Sequence, residues 1–160
     1  MYTKEYIEEL LKNYHQRERD IAVRKFELAN LTRLTENEYI SAANLAKGDG
    51  VGHVPGHISN KTLHIALNYK EQTERLNQEA AMEINREIEE LELKQRRLRY
   101  YVSLLEQRQA AVIRLQFFER LPIEEIEKEL RLTARSLRSL RKKAIEELAQ
   151  MYALVPEKQS

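Results

Sequence analysis

Residues 121–148 read LPIEEIEKELRLTARSLRSLRKKAIEEL. Pro122 suits the first position of a helix, because its missing N–H would have no helical partner there. Ile123, Ile126 and Leu130 then mark a helix of about two turns. Arg131-Leu132 makes a turn, and Thr133 is a natural N-cap for the next helix. On a wheel of 100° per residue, Leu137, Leu140, Ala144 and Leu148 share one apolar arc. Arg135, Arg138, Ser139, Lys142 and Lys143 fall on the other side. Upstream, Ala111, Val112, Leu115 and Phe118 mark a further helix, ended by Leu121-Pro122. Three short helices in this order, the last two joined by a tight turn, predict a helix-turn-helix.

Charge is distributed unevenly over this stretch. Arg131, Arg135, Arg138, Arg141, Lys142 and Lys143 all precede Glu146. The helix before them carries Glu124, Glu125, Glu127 and Glu129 against Lys128 alone. The whole chain has a formal charge of only +1, so any anionic partner must be recognised by a local patch. A basic outer face on a helix is often merely solvated. The three-helix spacing, the proline and the absence of acids from 131 to 145 favour contact with DNA. Arginine bonds guanine bidentately, and serine or threonine bonds several bases. Arg141, Lys142 and Lys143 are better suited to phosphates, which supply affinity and position. The candidate DNA-binding residues are therefore Thr133, Ala134, Arg135, Arg138, Ser139, Arg141, Lys142 and Lys143.

Working outward, Ile84, Ile88, Leu91, Gln95, Leu98, Val102, Leu105, Gln109 and Val112 recur in alternating steps of four and three. That is the period of a helix presenting a continuous seam to another helix. An unbroken helix from 62 to 105 would be about 66 Å long. It would need a partner: residues 3–32 folded back on it, a second subunit in a homodimer, or both. Residues 3–32 read as one helix, with Ile7, Leu10, Tyr14, Ile21, Leu28 and Leu31 as its stripe and Arg17 and Arg24 interrupting it. A second short helix is expected after Thr35, which forms a capping box with Glu38. Residues 47–60, KGDGVGHVPGHISN, hold all four glycines and read as a loop. The expected organisation is all-α: a helical hairpin or coiled-coil arm over 1–105, a helix-turn-helix domain over 106–152 and a flexible tail over 153–160.

The chain has 160 residues, 33% of them charged, with few glycines and prolines, a balance that favours helices. It has no cysteine, which excludes disulfides and thiolate chemistry. The N-terminal sequence is acidic and amphipathic rather than a signal peptide, and no run approaches a membrane span. A soluble protein of the cytoplasm, with no membrane partner, is expected. His53 and His57, with Asp49 nearby, lack a convincing further ligand, so no metal or other cofactor is expected. GDGVG lacks the preceding strand and the following Lys-Ser/Thr of a phosphate loop. No nucleophile–base pair or buried carboxylate pair is evident, so the chain reads as a non-enzyme.

Residues 121–148 resemble the helix-turn-helix of sigma-factor region 4. The shared pattern is a leucine, a short acidic helix with Glu-Ile, a leucine, a turn ending in Ser/Thr, and a basic helix ending Lys-Ala-Ile-x-x-Leu. Together with the N-terminal helix, the glycine-rich loop and the Glu-rich long helix, this resembles small phage and prophage proteins of Gram-positive bacteria. These are related to late transcriptional regulators of the ArpU and RinA type. The resemblance implies a sequence-specific regulator that binds double-stranded DNA in a bacterial host, in concert with host RNA polymerase. Two positions depart from the sigma-like pattern: Glu127 stands where alanine is usual, and Arg131 where the turn usually has glycine. Two other functions fit the same residues. A small terminase subunit also joins a helix-turn-helix to an oligomerising helical region. A sigma-like motif can also serve as an RNA polymerase-binding module without DNA.

Overall fold

The structure, a computed structural model, describes residues 3–47 and 60–156. It is all-α, with no strand among the described residues. The helices are α1 (Lys4–Lys12), α2 (Tyr14–Lys47), α3 (Asn60–Ser103), α4 (Gln107–Ile113), α5 (Ile123–Leu130) and α6 (Ala134–Leu154). A five-residue π-helical turn, Arg114–Phe118, follows α4. The chain divides into two compact units, Met1–Asp20 with Leu91–Ser160, and Ile21–Glu90. The boundary at 105/106 expected from sequence is not where the units part. The first 20 residues belong with the C-terminal helices instead.

Residues 3–32 are not one helix. Thr3 caps α1, its side chain accepting the Tyr6 N–H at 3.3 Å, and Glu5 and Lys12 complement the helix dipole at its two ends. Asn13 then leaves helical geometry (φ −92°, ψ 9°), and α2 begins at the next residue. Asparagine is a poor interior residue because its amide competes for nearby backbone groups. The expected start after Thr35 is also absent, since α2 runs unbroken to Lys47. Four-residue capping signals yield there to continued helix propagation, which adds a hydrogen bond for each residue fixed.

The long third helix matches its expected span closely, but it does not carry the whole heptad. The chain leaves α3 at Ser103. The N–H groups of Leu104 and Leu105 bond only three residues back, to Tyr101 and Val102, at 3.1 Å. Leu105, within a turn that contains neither glycine nor proline, and Val112, beyond it, are buried all the same. Burial of Leu105, 7% exposed, holds it there.

The first unit has a large core of Ile7, Leu10, Leu11 and Tyr14 from the N-terminal helices, Leu98 and Val102 from α3, Ala110 and Ile113 from α4, and Ala144, Ile145, Leu148 and Tyr152 from α6. Each fully buried aliphatic side chain contributes about 1.5–3 kcal/mol relative to exposure. Tyr152 packs edge-on to Tyr101 and Tyr6, at ring separations of 4.9 and 6.4 Å. The Arg97 guanidinium covers the Tyr152 ring at 4.6 Å and donates to the Val155 carbonyl, which fixes the end of α6.

Two polar positions that look like flaws in their stripes are partners. Arg17 and Gln95 are both buried, and Arg17 Nε donates to Gln95 Oε1 at 2.7 Å. Arg17 also donates to the Leu10 carbonyl. Gln95 Nε2 donates to the Tyr14 carbonyl at 2.9 Å and to Glu18 at 2.8 Å. Buried polar groups are tolerable when satisfied in this way.

In the second unit, Ile21 and Ile88 are buried, and Arg24 Nε meets Glu87 Oε2 at 2.8 Å. Arg24, the other interruption in the N-terminal stripe, thus pairs between α2 and α3. Both groups are substantially exposed, so the pair contributes about 1 kcal/mol or less.

Candidate nucleic-acid interface

A second, smaller core builds the helix-turn-helix. Val112 of α4, Ile126 of α5 and Leu137 of α6 are buried together, flanked by Leu115, Leu121, Leu130, Leu132 and Leu140. Helix α4 presents Val112 to this cluster and Ala110 and Ile113 to the larger one. Helix α6 is divided the same way. Its N-terminal half packs on α4 and α5, and its C-terminal half enters the large core. The N-terminal half of α6 is thereby held with one face inward and the other in solvent.

The entry to α5 differs by one residue from expectation. Pro122 (φ −59°, ψ 151°) is the N-cap, and its carbonyl accepts the Ile126 N–H at 3.1 Å. The extended ψ places it just outside the helix, where a missing N–H is equally harmless. The preceding segment is α-helical only to Ile113. Through Phe118 it is π-helical, with Glu119 N–H bonding Arg114 O at 2.9 Å, five residues back.

Arg131 takes the left-handed conformation, φ 55° and ψ 45°, that glycine would adopt without strain. Its N–H and that of Leu132 both turn back to the Glu127 carbonyl, closing the end of α5. The reverse turn survives without glycine at a cost of about 1–2 kcal/mol. Arg131→Gly is therefore expected to stabilise the protein by about 1 kcal/mol and raise its thermal midpoint by a few degrees. A lowered midpoint would mean that the arginine side chain contributes more than its backbone costs. Glu127 is half-buried, while Ile126 beside it fills the contact between helices.

Thr133 caps α6 as expected, accepting the Ser136 N–H at 3.2 Å. Its hydroxyl also donates to Ser136 Oγ at 3.0 Å. This side chain is committed to holding the helix start. Ala134, Arg135, Arg138, Ser139, Lys142 and Lys143 are all exposed. Arg135, Arg138, Ser139 and Lys142 recur every three or four residues and so form one stripe. Arg141 is set apart from them. It is half-buried, with its guanidinium 5.9 Å from the centre of the Phe117 ring.

Two residues of α1 next to this face, Lys4 and Glu8, escaped the sequence reading. Lys4, from α1, lies against α6 and pairs with Glu146 at 2.9 Å. Lys4, Glu8, Arg138, Arg141, Lys142 and Ile145 line a shallow groove. The Glu146 carboxyl is held below its usual range, first by Lys4 and then by Lys142 and Lys143. The first acid of α6 is thus kept ionised and partly neutralised by cations. No local pattern links residue 4 to residue 146. The only hint in sequence was that the N-terminal helix had an apolar stripe needing a partner.

The histidine pair at 53 and 57, with Asp49, lies outside the described residues. Among the described residues, no group of three or more His, Cys, Asp or Glu side chains is arranged to hold a metal. No helix among them is long and apolar enough to cross a membrane. No family model, no curated protein and no solved structure matches the chain.

Proposed function

We propose that the protein is a sequence-specific DNA-binding transcriptional regulator of the phage type, with α6 as the helix that enters the major groove. One observation carries this reading. Arg135, Arg138, Ser139 and Lys142 form an exposed stripe free of acids on a helix whose opposite face is locked into a helix-turn-helix core. The N-terminal residues of such a helix reach base edges, and the lysines meet phosphates. The acidic α5 (Glu124, Glu125 and Glu129 exposed) keeps the positive potential on α6 and off the rest of the motif. The role is binding rather than catalysis.

The test is a salt-titrated binding assay comparing DNA fragments flanking the protein's own gene with an unrelated duplex. The flanking DNA is expected to bind more tightly. Its log affinity should fall with log salt at a slope of about −3.6 to −4.5, the response to four or five neutralised phosphates. No binding to any duplex at low salt would overturn the reading.

A further inference from the structure

We infer that the groove between α1 and α6 is a binding site for a nucleic-acid backbone phosphate, with Lys4 as its outer ligand. The inference rests on the DNA-binding reading of α6 and adds to it a contact from the opposite end of the chain.

The groove exists because α1 docks on α6. Ile7, Leu10 and Leu11 enter the same core as Ala144, Ile145 and Leu148, so the start of α1 lies beside the middle of α6. Lys4 then stands with Arg138, Arg141 and Lys142 around an opening whose lining also holds Glu8, while Glu146 pairs with Lys4. Against these two carboxylates, the groove is lined by four cationic side chains. Their mutual repulsion is relieved by an anion, and the apolar Ile145 in its lining, 3% exposed, offers that anion nothing to compete with.

Phosphate is the anion this arrangement fits. Arg138 and Lys142 belong both to the groove and to the exposed stripe, so the site continues the proposed DNA-reading face. Arg141 is turned toward Phe117 and away from the stripe, which puts the groove on the flank of α6. The flank of a helix lying in the major groove meets the backbone rather than base edges. Lysine at that position acts as a point charge on a flexible stem, the property of a phosphate contact. Lys4 is already at hand: its partner Glu146 is exposed enough for the pair to open at little cost.

Two substitutions in the full-length protein separate this role from a structural one. Lys4→Ala removes the cation, and Glu146→Gln removes the competing carboxylate while leaving the cation. Lys4→Ala is expected to weaken specific and unrelated duplexes by the same factor, about three- to tenfold, and to flatten the salt slope by about one. Glu146→Gln is expected to strengthen both and to steepen the slope. If the ion pair served only the fold, both variants would shift affinity in the same direction along with the thermal midpoint, and the inference would be wrong. Wild-type binding that Lys4→Ala leaves unchanged overturns the groove alone. Absence of wild-type binding to any duplex overturns the DNA reading and the groove with it.

Discussion

Leu148→Ala is expected to destabilise the protein by about 2–5 kcal/mol, the cost of truncating a fully buried leucine without collapse of the cavity. Leu148 is 0% exposed and sits where α1, α4 and the C-terminal half of α6 meet. Its neighbours Ala144, Ile113 and Ile7 are themselves 0% exposed, so little can shift to fill the void. The loss reaches beyond α6, because this core also holds α1, and with it Lys4, in place. Thermal unfolding followed by circular dichroism should show a fall of about 4–20 °C. The matching control is Ile123→Ala. Ile123 is 52% exposed at the start of α5, so its truncation should cost about 1 kcal/mol or less. Equal shifts for the two variants would mean that the large core does not carry the stability assigned to it.

The parts legible in sequence were those governed by short-range rules. The α3 span, the Thr133 cap, the α5–α6 turn and the inward faces of Ile126, Leu137 and Leu148 arise from spacing and capping within a few residues. Signals of that kind failed where two local rules competed. Thr35 has the form of a cap, but the helix around it continues. The heptad arithmetic runs past Ser103, but the chain turns there. The first outcome follows from helix propagation and the second from the burial of Leu105, to which a one-dimensional period is blind.

Contacts between distant residues were not legible at all. Arg17 and Gln95 each read as a defect in an apolar stripe, and only their apposition across 78 positions shows that each satisfies the other. Lys4 and Glu146 are 142 positions apart. The candidate residues on α6 fared unevenly for the same reason. Thr133 is exposed but occupied by its own helix cap, and Arg141 is half-buried against the Phe117 ring. Their residue types alone do not distinguish them from Ser139 or Arg138.

The most direct measurement is the affinity of an Arg135→Ala, Arg138→Ala double variant for the duplex that the wild type binds best. Both arginines are exposed on the outer face of α6 and lie on the proposed reading stripe. A good contact to a base is worth about 1–3 kcal/mol, so losing two should weaken specific binding by about 30-fold or more. Alanine favours the helix and no buried group is disturbed, so the thermal midpoint should stay within about two degrees of wild type. Preference for the best duplex over an unrelated one should narrow as well, because base reading is lost along with charge. A variant that keeps its fold, its affinity and its sequence preference would show that α6 is a solvated basic face and that DNA, if bound, is held elsewhere.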